Sequence, residues 1–209
     1  EINDVEIRPI TENEFYYFTN LDENQNLSNV FYNLTHVMYT TYSSDDLNSG
    51  YDVVKSRFEL MLDALSLTGS GNPVFGAIFR NINNSWIHFD SKYDVDVIKQ
   101  ESLFFDKKNT SKLKSIFSSL NGVDFNKKEN SFLDIAKRRF SSALTRTNSV
   151  DQLIDLTVSL ESLFAPTPGE ITVRLSNRMA TLLAKDDSQR EDYWVFVKKV
   201  YNLRSGIVH

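Results

Sequence analysis

From residue 131 to the end of the chain, apolar side chains recur at helical spacing in four consecutive stretches. The first stretch, about 131 to 146, sets Phe132, Ala136, Phe140 and Ala143 on one face. The second, about 150 to 164, does the same with Leu153, Leu156, Leu160 and Leu163. Asn148 or Ser149 can cap its start, and Pro166, Pro168 and Gly169 end it. The third, about 171 to 184, carries Leu175, Met179, Leu182 and Leu183. The fourth opens on Ser188-Gln189-Arg190-Glu191, a capping-box pattern. In such a box the serine hydroxyl accepts from the backbone NH three residues on, and the glutamate reaches back to the cap NH. Amphipathic helices joined by short connections pack as antiparallel neighbours, so residues 131 to 209 are expected to form a four-helix up-and-down bundle.

The chain before this bundle is patterned differently. Residues 1 to 121 are rich in Asn, Tyr and Phe and read as a smaller mixed α/β region, with 122 to 130 as a linker. Val54, Phe58, Met61 and Leu65 predict a helix over 51 to 67, with Gly69 placed to end it. Residues 74 to 80 and 86 to 89, joined through Asn83-Asn84, predict a β-hairpin, and 111 to 120 a short helix. The segment from 11 to 48 has no assignable pattern. Overall the fold class is α+β, mainly α. The Gly69, Gly71, Gly76 cluster fits neither the dinucleotide nor the phosphate-loop spacing and reads as turn chemistry.

Composition narrows the classes of function. The chain has no Cys, which excludes disulfides, zinc ribbons and thiolate nucleophiles and points to a cytoplasmic setting. No apolar run approaches the ~20 residues of a membrane span, no signal-peptide pattern is present, and no membrane partner is expected. The N-X-Ser/Thr matches at Asn26, Asn33, Asn83 and Asn109 then read as chance in an Asn- and Ser-rich chain. The sequence opens at Glu1 and stops at His209 inside a helical pattern, which reads as a trimmed chain whose last helix continues. The net charge of −5 argues against nonspecific coating of nucleic acid. Yet charge is uneven. Residues 1 to 60 carry 3 basic and 11 acidic side chains, whereas 174 to 209 carry 7 basic and 4 acidic, so the C-terminal end is where an anion would dock.

Three histidines bound the search for chemistry. His88 lies in the predicted hairpin and reads as structural, and His36 has no His or carboxylate at helical spacing to build a metal site with. His209 closes the run Tyr201-Asn202-Leu203-Arg204-Ser205-Gly206-Ile207-Val208-His209, in which Arg204 shares a helical stripe with Val197, Val200, Tyr201 and Val208. An arginine on a stripe that faces protein either snorkels to the surface, pairs with a carboxylate such as Glu161, or serves a site. Five residues advance an ideal helix by about 500°, leaving Arg204 and His209 about 140° apart around the axis. Two arrangements would aim both at one atom: a helix loosened at Gly206, or a second copy approaching across a two-fold axis.

With these blocks in order, Leu160-Glu161-Ser162-Leu163-Phe164, then Arg178-Met179-Ala180-Thr181-Leu182-Leu183, then the run from Val200 to His209, the C-terminal segment resembles an ApeA-like member of the HEPN superfamily. Such domains carry Arg, four to six residues, then His near the end of the last helix of a four-helix bundle. The resemblance implies a metal-independent endoribonuclease, a toxin or antiviral-defence effector, acting on RNA as a homodimer through the C-terminal bundle. It implies no cofactor and no metal. Arg204 and His209 would be the catalytic pair, with Ser205, Tyr201, Glu161 and Arg178 as phosphate-contacting or supporting residues. Glu161 and Arg178 would form an ion pair or orient Arg204, unless they are a purely structural pair of the bundle. Ser205 stands where such motifs often carry Asn, Asp or His, and can still hydrogen-bond a phosphate. The partners implied are RNA, a second copy, and an antitoxin or trigger protein, with the N-terminal region as a sensor or regulatory domain. The alternative is a catalytically inert helical module that binds a partner protein, a nucleotide or RNA.

Overall fold

A computed structural model describes residues 5 to 14, 36 to 42, 46 to 69, 73, 77 to 82, 85 to 91, 107 to 167 and 169 to 208. The chain divides into two compact units, Glu1–Leu120 and Asn121–His209.

In the first unit, strands β1 (Glu6–Pro9) and β2 (His36–Tyr39) pair antiparallel, with Ile7 opposite Met38. β2 lies in the stretch where no sequence pattern was assignable, because a four-residue strand is too short for alternation to register. From β1, Arg8 grips Glu14 with both terminal nitrogens, at 2.8 and 2.6 Å. Thr11 and Glu14 cap one helical turn reciprocally, Glu14 NH donating to the Thr11 hydroxyl and Thr11 NH to the Glu14 carboxylate. Helix α1 (Leu47–Leu67) starts four residues before the expected 51, the Gly50 NH donating to the Asp46 carbonyl at 3.1 Å. Gly50 is buried inside the first turn. Val54, Phe58, Met61 and Leu65 are all buried as their spacing predicts. Gly69, with φ of 77°, takes the left-handed conformation that ends the helix.

Strands β3 (Ala77–Ile82) and β4 (Ser85–Ser91) form the predicted hairpin, with a register shift between Ile78 and Phe79. Residues 74 to 76 and the Asn83-Asn84 connection lie outside the described residues, as do Gly71 and most of the stretch from 11 to 48. Helix α2 (Lys107–Asn121) is a turn longer than the apolar pattern showed, since Lys107 to Thr110 carry no apolar signal. It sets Leu113 into a cluster with Met61, Ala64 and Leu65, against which Ile7, Met38, Ile116 and Phe117 pack. Lys112 ties the end of α1 down by donating to the Thr68 carbonyl at 2.7 Å.

The second unit holds four helices: α3 (Ser131–Thr145), α4 (Ser149–Phe164), α5 (Ile171–Leu183) and α6 (Asp187–Val208). They pair as two hairpins, α3 with α4 and α5 with α6, and α4 carries the contacts that join the hairpins. The segment read as a linker is folded. Asn130 donates to the Asp124 carbonyl at 2.8 Å, and Lys128–Asn130 forms a 3-10 turn leading into α3.

Two sequence expectations are corrected here. The start of α6 is not capped by Ser188. The Asp186 carboxylate accepts from the Gln189 NH at 2.8 Å, and the Gln189 side chain reaches back to the Lys185 NH at 3.2 Å. Asp186 thus caps the helix two residues before Ser188, with the Gln189 bond falling one residue before the cap, and a carboxylate at a helix N-terminus gains from the dipole where a hydroxyl does not. The Asn148 cap of α4 stands as expected, its side chain accepting from the Val150 NH at 2.8 Å.

Helix α4 also departs from its apolar pattern. Its most buried residues are Asp155, Thr157 and Ser159 rather than its leucines, and Leu163 is exposed. As the helix shared by both hairpins, α4 is covered on more than one side. Small polar side chains let α3 approach closely at Ala136 and Ala143, which are themselves buried. Their hydroxyls stay satisfied: Ser159 donates across to the Ala136 carbonyl at 2.8 Å, and Thr157 to the Leu153 and Ile154 carbonyls of its own helix. On α5, likewise, Leu175, Ser176 and Ala180 are buried while Leu182 and Leu183 are exposed. No described helix is long and apolar enough to cross a membrane.

Candidate functional site

Helix α6 presents Tyr201, Arg204 and Ser205 within little more than one turn. Residues three and four apart lie about 60° and 40° apart around a helix axis, so Tyr201 faces the same way as both of the others. All three are half-buried, consistent with the stripe that includes the buried Val197; Val208, expected on that stripe, is exposed. Helix α4 supplies the counterpart. The Arg204 guanidinium lies 3.9 Å from the Glu161 carboxylate, and each side chain retains about a fifth of its exposure (20% and 19%). The same guanidinium sits 5.9 Å from the centre of the Tyr201 ring. Burial, the Glu161 charge and a hydrogen bond to Glu161 push the Tyr201 hydroxyl above its ordinary value, against the opposing pull of Arg204. A phenol that stays protonated remains a hydrogen-bond donor at every physiological pH.

This cluster is incompletely satisfied. Glu161 Oε1 and Arg204 Nε are both buried without a hydrogen-bond partner. An ion pair at 3.9 Å is at the limit of direct contact, so neither group has used its full bonding capacity. An arginine so placed has donors left for an anion, while the neighbouring carboxylate sets the net charge of the trio at zero.

Arg178 is not part of this arrangement. It is exposed and donates to the Phe164 carbonyl at the end of α4, instead of pairing with Glu161 as expected. Phe164 lies one turn beyond Glu161, and an exposed guanidinium finds a helix-end carbonyl at lower desolvation cost than a half-buried carboxylate. Arg174 does similar work one turn earlier on α5, donating to the Thr167 carbonyl and hydroxyl. His209 lies outside the described residues. His36 falls at the end of β2 opposite Pro9, and His88 in β4 opposite Phe79.

The sequence reading missed a second charged cluster on α4. Asp155, 2% exposed, accepts from Arg139 Nη1 of α3 and from Arg146 Nε beyond the end of α3, both at 2.8 Å. Burial alone would push this carboxyl up, but the two guanidinium bonds outweigh it and hold the carboxyl below its ordinary range. The signal was present: an acidic residue inside an apolar helix pattern needs a partner.

Comparison of the chain with protein-family models, with curated proteins and with solved structures gave no match.

Proposed function

We propose that the C-terminal unit is a metal-independent endoribonuclease of the HEPN type, a toxin or antiviral-defence effector that works in the cytoplasm as a homodimer. The observation that carries the reading is Arg204: half-buried near the end of the last helix, five residues before His209, with a buried nitrogen still unbonded beside Glu161. The residue types suit RNA cleavage by its own 2′-hydroxyl. One group must take the 2′-OH proton as that oxygen attacks the adjacent phosphorus, and another must return a proton to the departing 5′-oxygen. An imidazole, whose ordinary pKa is ~6.5, suits this proton traffic, and His209 is the residue that would supply it. Arg204 supplies fixed positive charge and forked donors for the crowded phosphorane oxygens. Tyr201 and Ser205 can hydrogen-bond the same phosphate, and Glu161 positions the guanidinium. Arg178 enters only by fixing the end of α4. The products would be a 2′,3′-cyclic phosphate and a 5′-hydroxyl, and DNA, lacking the 2′-OH, would be refused.

Incubation of the protein with mixed RNA in EDTA tests this. Cleavage is expected to fall by roughly 100-fold or more in both Arg204→Ala and His209→Ala, as for loss of one transition-state donor, with helicity unchanged. If either variant cuts RNA like the parent, the assignment is wrong. One observation favours the alternative of an inert binding module: Leu182, Phe196 and Leu203 stand exposed on the same helical hairpin. That reading gains if the intact protein binds a partner, loses it on mutation, and never cuts.

A further inference from the structure

The basic residues of the first unit gather on one helix. Residues 1 to 120 hold 17 acidic and 10 basic side chains, yet α2 carries Lys107, Lys108, Lys112 and Lys114 and no acidic residue at all. Its inner side is apolar: Leu113 belongs to the core cluster, and Ile116, Phe117 and Leu120 pack against it. On the outside, every exposed residue from 108 to 119 is a Lys, a Ser or a Thr. Ser111 lies at the middle of this face, with Lys108 and Lys114 three residues to either side and so about 60° around the axis from it. Cations elsewhere are held internally. Arg8 pairs with Glu14, Arg138 with Asp134, and Arg139 and Arg146 with Asp155, while Lys112 donates to the Thr68 carbonyl. Among the described residues, no carboxylate pairs with Lys108 or Lys114.

A face of ammonium and hydroxyl groups offers positive charge and hydrogen-bond donors, and nothing apolar. A helix that binds a membrane surface lays its apolar side into the bilayer, and the apolar side of α2 is committed to the core. Phosphate oxygens are the natural counterpart, since lysine and serine side chains are ordinary contacts to a nucleic-acid backbone and read no sequence there. We propose that the outer face of α2 anchors the phosphate backbone of RNA, with Lys108, Ser111 and Lys114 meeting about three successive phosphates. The net charge of −5 confines such binding to this patch, because the rest of the first unit repels a polyanion. The anchor is separate from the Arg204 cluster, which belongs to the second unit. Its effect on cleavage rests on the ribonuclease reading; the binding itself does not.

Fluorescence anisotropy of a labelled single-stranded RNA tests this with the full chain carrying His209→Ala, so that the RNA stays whole. Adding Lys108→Gln plus Lys114→Gln should weaken binding roughly 50-fold at about 50 mM salt, with helicity and Tm unchanged. The slope of log affinity against log salt should become shallower by about 1.4, since each phosphate contact to a single strand contributes ~0.7. Single-stranded DNA carries the same phosphates and should show the same loss. Lys108→Arg plus Lys114→Arg keeps the charge and should bind like the parent. Lys127→Gln plus Lys128→Gln removes the same charge from exposed residues outside α2 and should change little. Unchanged binding by the α2 glutamine pair overturns the proposal, as does an equal loss from the Lys127 and Lys128 pair or a loss in the arginine pair. So does competition by polyglutamate or phosphatidylglycerol vesicles as strong as that of RNA at equal charge, which would mean a protein or a membrane fits as well. With His209 restored, the α2 glutamine pair should raise KM for RNA and leave kcat alone. A protein that binds through α2 and never cuts would sink the ribonuclease reading and leave the anchor standing. Cutting with KM unchanged in that pair would remove the anchor alone.

Discussion

Helix α4 carries two largely buried carboxylates six residues apart, and the protein treats them in opposite ways. Asp155 is sealed, with both oxygens bonded at 2.8 Å to a different arginine and almost no surface left in water. Glu161 is unfinished, with one arginine at 3.9 Å, one oxygen without a partner, and a neighbour whose own nitrogen is unbonded. A satisfied ionic cluster holds structure together. One left with unpartnered atoms holds structure together less well and is the candidate for another role. The contrast teaches that charge and burial alone do not mark a site; the state of the hydrogen bonds around the charge does.

The largest effect that could break this contrast is at Asp155. Asp155→Ala removes the anion between α3 and α4 but leaves two arginines that are about half exposed (49% and 46%) and can hydrate. The expected loss is therefore about 3 kcal/mol, at the lower end of what breaking a buried pair costs, read from the urea midpoint at neutral pH. The acid limb supplies an independent sign. The folded carboxyl lies below its ordinary value of 3.8, so the stability it contributes is fully present above that value and is lost as pH falls through the folded value. In that window the parent should weaken with acid, and Asp155→Ala should lack this part of the fall. A variant as stable as the parent would show that the sealed cluster does not hold the helices together.

Glu161→Gln should separate stability from chemistry. A loose pair at this exposure is worth under about 1 kcal/mol, so Tm should barely move. Function should move in two directions at once. With the negative charge gone, RNA should bind roughly 10-fold tighter, because Arg204 is no longer neutralised, and bound RNA should be cut more slowly because the guanidinium has lost its anchor. A KM and kcat that fall together would record that split. Weaker binding at unchanged stability would instead mean that Glu161 itself touches the RNA, and the contrast with Asp155 would need a different explanation.

The sequence showed helices better than it showed surroundings. Periodicity located α1 and all four helices of the second unit, because each buries a repeating apolar stripe that 3.6-residue spacing makes visible. The Asn148 cap was legible for the same local reason. Interior arrangement was not. In α4 the leucine repeat pointed to the core, but the buried residues that bond across to α3 are Ser159 and Asp155, which a hydropathy pattern scores as surface. The α6 cap was misplaced because Asp186 and Ser188 both head an acceptable box, and only the geometry of the turn chooses between them. At the candidate site, the pairing of Arg204 with Glu161 was foreseen as one of several options. Arg178 was assigned to the same cluster, but a helix-end carbonyl within its reach is invisible in a string of letters.

The smallest expected effect asks most directly how the two ends of the Arg-to-His motif are brought together. Gly206 lies between them, and the helix continues through it to Val208 without interruption. A methyl group added there would meet nothing within 4 Å. Gly206→Ala should therefore stabilise the protein by roughly 0.5–1 kcal/mol, through a smaller loss of backbone freedom on folding, and raise Tm by a few degrees at most. Its effect on cleavage separates the two ways of overcoming the ~140° between side chains five residues apart. If catalysis requires the last turn to loosen, the alanine that stiffens it should slow cleavage even as it raises Tm. If a second copy completes the site, cleavage should be unchanged, because α6 can then remain a regular helix. Unchanged activity with a higher Tm would thus favour completion of the site by a second copy over a last turn that must loosen.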